Sequence, residues 1–558
     1  MKKITLLLMA VLAWVGSVSA QDAQNLLTFN WAHTVEGAAN ASNNVFESKK
    51  AADGSYLIAT KMGTKTSALT AKFDGVAIED FEGGTYKTAA AGNLYLQKVG
   101  VDGKVIWSLF STKCDVSSVN IAPTSDGGAI LVVKSRANGT TQGFSLVDAA
   151  GKSVVIDDMK ENTYYLVLVK VDANGKCLWT RLQPGSKGAI SDSFTINDCA
   201  VDENDNVYLV GKVKGDFSFS ETVGGAGVDL LPNNATSNLV VMKFNSDGKF
   251  VNVECAGTET ASSTADKVVY YDGKLYVVAT VTGQGMTVGE DEWEKPVEAD
   301  AALPTLFLMA INANNLADVI YVKSLYSIAN KASKPTLVVQ NKALNYINGN
   351  LYLTGSVNGG LSADGVTVNS EGTALKGFIL KANAEDGTIL AMGINDQKAT
   401  GITNYFGVYE GENTIYTLGY DLGQTKSAIL FTYNKSDLTK TGELSVSNLA
   451  SGANCAPMLV DNNRLLLMSR GKATPLTFMN TDTQLAGFSD WGSMYCLYTI
   501  SDVPTAIKNI SYVANGTDKV DVYSINGVRV KTGVSAENAT QNLAKGIYVI
   551  GNKKVVVK

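Results

Sequence analysis

The chain has one histidine, His33, in 558 residues. That excludes a His-rich metal site, and a Ser–His–Asp triad would have to rest on this residue alone. Lys and Arg number 47 against 53 Asp and Glu, a net charge of −6 with no basic cluster. Nucleic acid is therefore not expected as a partner, nor is electrostatic docking on an anionic membrane. The six cysteines (114, 177, 199, 255, 455 and 496) are sparse and include no C-x-x-C pair. They give no zinc pattern and fix no disulfide pairing, and buried free thiols are expected. Proline is scarce, at nine residues against 53 glycines, which is a globular composition. G-x-S-x-G, H-E-x-x-H and G-x-x-x-x-G-K-[ST] are all missing. After the N-terminus no run is long and apolar enough to cross a bilayer.

The first twenty residues read as a secretory signal peptide. Lys2 and Lys3 form the charged region, Ile4 to Val15 the apolar core, and Val18, Ser19 and Ala20 a small-residue cleavage site. No cysteine follows to carry a lipid. The mature chain is expected to be secreted or to reach the outer cell surface.

What the chain has in quantity is period-2 apolar alternation, the signature of strands. One hairpin recurs. Leu94 to Val99 leads through Asp102 and Gly103 to Val105, Ile106 and Trp107. Val167 to Val171 leads through Asp172 and Gly175 to Trp179, and Val240 to Phe244 through Asp247 and Gly248 to Val251. Weaker copies follow near Leu306, Phe378 and Ile429. Between them lies a second hairpin, opening at Asp53, Asp126, Asp205, Asp272, Asn348, Asn413 and Asn462. Four strands per unit and seven units predict an all-β, seven-bladed β-propeller over 21–502, the weaker copies allowing six to eight. The strand from Leu27 to His33 has no partner of its own, and its Trp31 matches Trp107 and Trp179. It is expected to complete the last blade, which lacks a fourth strand.

These repeats resemble the SBBP-type bacterial β-propeller repeats, best at Asp192 to Gly211 and Val240 to Val251. The resemblance spans about residues 27–500 and implies a fold rather than a reaction. Residues 503–558 differ. The segments VYSINGVRV (522–530), KGIYVI (545–550) and KVVVK (554–558) resemble, in order, the C-terminal sorting domain of the type IX secretion system of Bacteroidota. The resemblance implies a small Ig-like β-sandwich that engages the secretion machinery and carries the chain across the outer membrane. A Pro-Asn-Pro opening is not present.

No catalytic residue and no metal ligand set can be named. Asp102, Asp172, Asp247, Asp272 and Asp386 sit in D-G turns, where an Asp side chain caps the turn backbone. Asp202 to Asn206 superficially resembles a calcium loop, but Val207 and Val213 stand where it needs Gly and a bidentate Glu, so it reads as a turn. The residues that open the inner strands, Asp115, Asp192 and Asp266, with Asn404 and Asn454 as weaker counterparts, have two readings. They could ring a channel mouth and hold a polar ligand or a cation such as calcium, or they could tie neighbouring blades together. The connections between second and third strands are long (about 61–92, 136–163, 214–238, 282–304, 357–376 and 470–493) and fall on one face, the expected binding face. Trp293, Phe488 and Trp491 are its aromatic candidates for contacts to a ligand, alongside Phe81, Tyr86, Phe217 and Phe219, with packing beneath the loops as their other role. These features favour a non-catalytic protein that binds an extracellular protein, glycan or matrix ligand. The alternative is a glycoside hydrolase or lyase using carboxylates at the channel mouth. A quinone-dependent dehydrogenase would need a cofactor signature that is not seen.

Overall fold

The computed structural model describes residues 26–36, 44–63, 71–78, 92–112, 114–137, 144–156, 164–183, 194–214, 217–219, 228–230, 237–257, 262–288, 291–294, 296, 303–328, 336–370, 374–395, 403–421, 428–445, 454–461, 463–471, 475–478, 480–485, 488, 492–501, 519–524, 529–535, 538–543, 545–550 and 553–557. The proposed signal peptide, Phe81, Tyr86, Asp192 and Trp491 lie outside these residues. The chain divides into two compact units, one ending at Ser501 and one from Asp502 to Lys558.

The first unit is all-β and propeller-like. Its alternating runs pair into antiparallel sheets with four core strands each. The first sheet comprises Asn44–Lys50, Tyr56–Gly63, Gly92–Val99 and Val105–Thr112, and the second Cys114–Pro123, Ala129–Ala137, Tyr164–Val171 and Cys177–Gln183. The third to sixth sheets begin with Phe194–Val201, Ser263–Tyr271, Thr336–Ile347 and Thr403–Glu410. The seventh contains Asn454–Asp461, Arg464–Gly471 and Gly492–Ile500, and its outer strand is the N-terminal Leu27–Glu36, paired along its length with Gly492–Ile500. The inner strand of each sheet packs on the inner strand of the next, and that of the seventh packs on that of the first. Apolar clusters fill the seams between the sheets.

Every inner strand carries a register shift partway along it. A bulge leaves one residue out of the ladder and re-aims its side chain. Ser117, Asn197 and Asp266 are the residues skipped in the second, third and fourth sheets.

The long connections add hairpins of their own. Lys72–Phe73 with Val76–Ala77 pairs onto Leu27–Glu36, and Phe144–Val147 with Ser153–Ile156 pairs onto Val105–Thr112. Gly360–Ala363 with Val366–Val368 pairs onto Val319–Ile328. Each therefore extends the outer edge of the preceding sheet, covering backbone groups an edge strand would leave open. Gly285–Val288 pairs with Asp291–Glu294 and touches the third sheet's end through a Gly257–Thr287 bridge.

Among the described residues of the second unit, Lys519–Ser524, Arg529–Ser535, Gly546–Ile550 and Lys553–Val557 form one four-stranded antiparallel sheet over a small core of Val522, Ala539 and Ile550. No helix of the described residues is long and apolar enough to cross a membrane.

Candidate functional site

The repeated turns bind sheet to sheet. Trp107 lies over Gly175 of the next sheet's turn and donates its Nε1–H to Ala173 O at 2.8 Å. Trp179 does the same to Gly248 and Ser246 O (3.2 Å), and Trp31 to Gly103 and Val101 O (3.1 Å). In the fourth sheet Tyr321 replaces Trp, packing on Gly387 and donating to Ala384 O at 3.1 Å. These glycines have positive φ, from 72° to 84°, as the turn requires. A lysine near the end of the third strand, Lys98 in the first sheet and Lys170 in the second, belongs to the same device. Lys98, nearly fully buried, donates to Gly127 O at 2.7 Å and pairs with Asp53 at 2.7 Å. Lys170 pairs with Asp205 at 3.3 Å.

The turn aspartates act as caps. Asp102 accepts from Lys104 N, Asp172 from Asn174 N and Lys176 N, and Asp386 from Thr388 N. Asp272 takes the left-handed conformation of its turn, with φ 47°. At Asp247 the role passes to Asn245, whose Oδ1 accepts from Asp247 N and Lys249 N. Asp202 caps Asn204 N and Asn206 N, so this segment is a turn. His33 bridges Asp74 Oδ2 and Gly103 O, each at 2.7 Å. Cys177 and Cys255 are free thiols, and Cys114, Cys199 and Cys496 are buried.

The inner-strand aspartates do not share one structural position, which corrects their alignment as a repeated set. Asp115 lies two residues before the bulge of its strand, whereas Asp266 is itself the bulge residue. Asp115 is buried and accepts from Gly92 N (3.2 Å), Lys61 Nζ (3.3 Å) and Arg136 Nε (3.0 Å). It ties the first sheet to the second. Asp266 is half-buried and accepts from Thr280 Oγ1 at 2.5 Å. Burial pushes its carboxyl up to about 6, despite the opposing effects of Thr280, Lys267 and Lys212. A carboxyl tuned in that direction is a mark of reactive sites as well as of structural burial.

Sequence reasoning missed the network beside it. Glu47 Oε2 accepts from Ile121 N at 2.8 Å, and Asp198 Oδ2 from Val268 N at 3.2 Å, each joining its sheet to the next. Lys49 stands 3.5 Å from Glu47 and 3.7 Å from Asp198. Burial would lower its ammonium, but those two carboxylates raise it well above the usual lysine range. Their one mark in the sequence is charge within an inner strand, at Glu47 and Lys49 of Asn44–Lys50 and at Asp198 of Phe194–Val201. Among the described residues no group of three His, Cys, Asp or Glu side chains is placed to hold a metal.

Of the loop aromatics, Phe488 is 4% exposed and sits against Gly492, so its ring belongs to the core. Trp293 is half-buried on the 291–294 strand opposite Met286, packed against the fourth sheet's core, and its buried Nε1–H has no acceptor among the described residues. A depression with a cavity volume of about 10 Å³, between the second and third sheets, is lined by Ser118, Asn120, Lys134, Leu166 and Phe194. That is below the size of a typical small-molecule pocket.

No family model matches the chain, and none of the curated proteins matches it in sequence. Solved structures similar to it include the quinohemoprotein alcohol dehydrogenase of Comamonas testosteroni (12% identity, 86% of this chain and 78% of that one, TM-score 0.35). A variant of the Synechocystis apocarotenoid oxygenase is similar too (13% identity, 77% and 96%, TM-score 0.31), as is a europium-containing methanol dehydrogenase (8% identity, 87% and 98%, TM-score 0.36). Likeness at this level transfers no chemistry.

Proposed function

We propose that the chain is an exported, non-catalytic binding protein: a closed seven-bladed propeller that presents a protein, glycan or matrix ligand on the face of its long connections. The observation that carries this reading is the fate of those connections. In six of the seven sheets the link from second to third strand contains a hairpin, and three of these are fixed by backbone pairing to the preceding sheet. A row of short hairpins anchored on a rigid ring is a preorganised surface, which lowers the ordering cost of binding. The tail, on this reading, is an Ig-like sorting domain, and the protein works at the cell surface or beyond it. Binding of the chain from Gln21 onward to glycan and protein arrays, with and without calcium, tests the proposal. A ligand recovered intact, and lost when residues 289–302 are shortened, supports it, whereas no ligand on any array removes it.

One observation favours a second reading. The raised carboxyl of Asp266, the bulge residue of the fourth sheet, beside Thr280, has the tuning of a general acid in a carbohydrate-active enzyme. Turnover of an array glycan that disappears in Asp266→Asn would favour it.

A further inference from the structure

The opposite face, formed by the tight turns, carries a feature that the binding reading above does not use. Tyr271 ends the inner strand of the fourth sheet, and Tyr346 is the last residue but one of the inner strand of the fifth, each close to its turn. Their rings stack at 3.9 Å and 17°. Tyr346 in turn stacks on Tyr276 at 5.8 Å and 25°. The result is a ladder of three nearly parallel rings that crosses one seam and rises from the core to the surface. Its root, Tyr276, is 3% exposed, and its last rung, Tyr271, is 48% exposed even with Tyr346 against one face.

Large aromatic rings exposed to water are normally mobile. Tyr271 is instead held flat by the ring beneath it, so a ligand meeting it loses little side-chain freedom. Polar groups edge the same side of the molecule. Asp272 follows Tyr271 directly, and the neighbouring turn holds Asn348, whose Nδ2 donates to Glu410 at 3.4 Å. At the preceding seam Tyr270, stacked on Tyr208 at 6.0 Å, donates its hydroxyl to Glu203. A parallel stack leaves one flat apolar face. A cation cage needs rings on several sides, whereas a pyranose needs a flat face for its C–H surface and hydroxyl partners at the rim.

We propose that the exposed Tyr271 rung, backed by Tyr346 and Tyr276, is a stacking platform for a pyranose unit of a glycan, on the face opposite the long connections. The site does not depend on the reading of those connections.

Native electrophoresis of the full chain through gels containing mixed-linkage β-glucan, xylan, mannan or starch tests it. At least one polysaccharide should retard the protein. Tyr271→Ala should weaken that retardation about tenfold with an unchanged melting profile, and Tyr271→Phe should retain it. Shortening residues 289–302 should leave it intact. No retardation in any gel, equal retardation of Tyr271→Ala, or loss only in the shortened-loop chain would overturn the platform. The last of these outcomes would still support binding on the long-connection face, so the two proposals fail separately.

Discussion

The indole of Trp107 lies on Gly175 of the next sheet's turn, where an added Cβ would stand 2.6 Å from the ring. This contact, with its counterparts at Trp31 and Trp179, explains why aspartate, glycine and tryptophan recur together along the chain. Gly54, also at positive φ, meets nothing within 4 Å. Gly54→Ala should therefore cost about 1 kcal/mol, from backbone strain alone. Gly175→Ala should cost about 3 kcal/mol, because it also displaces the ring. Urea unfolding of the two variants makes the comparison, and equal costs would remove the latch from the account.

Lys98 gathers Asp53, Gly127 O and Ala173 O around one ammonium. Lys98→Met keeps the stem's packing but leaves two carbonyls without this donor. A loss of about 2–3 kcal/mol is expected, read as a lower midpoint in chemical denaturation.

The strands and their repeat were legible because alternation and D-G turns are local signals. Trp31 was legible as the counterpart of Trp107 because the two share a local sequence context. The inner-strand site was not, because a bulge adds one residue to a strand and so uncouples sequence spacing from structural position. Asp115 and Asp266 look equivalent in sequence and are not equivalent in space. The hairpins within the long connections were missed for another reason. Pairs such as Lys72–Phe73 with Val76–Ala77 are two residues long and are defined by the neighbouring sheet they join, not by a pattern of their own.

His33 sits between two acceptors, and only the imidazolium can donate to both. Burial would lower its pKa, but the hydrogen bond and charge of Asp74, with the Gly103 carbonyl, raise it overall. Trp31, Phe73 and Tyr495 complete its surroundings. A raised folded-state pKa means that the stabilisation is full below the ordinary value of 6.5 and is lost as pH rises through the folded value. Thermal melts should show a midpoint that falls from pH 6 to pH 8, by about 1 °C for each kcal/mol lost in a unit of this size. In His33→Gln that slope should flatten.

Asp266 acts in a lower window. Its carboxyl stands at about 6 against an ordinary 3.8, so the folded state holds the proton more tightly and stability falls as pH rises from 3.8 through 6. Asp266→Asn should be more stable than the parent at pH 7 by about 1–3 kcal/mol, with the gain vanishing near pH 4. Denaturation midpoints at the two pH values check the sign.

The central claim is that this propeller holds its ligand without altering it. Mass spectrometry of a glycan and peptide panel, before and after incubation with the full chain and with Asp266→Asn, tests it most directly. The account predicts ligands of unchanged mass with both proteins. Cleavage by the parent chain that is lost in Asp266→Asn would contradict it and assign the chemistry to the bulge of the fourth sheet.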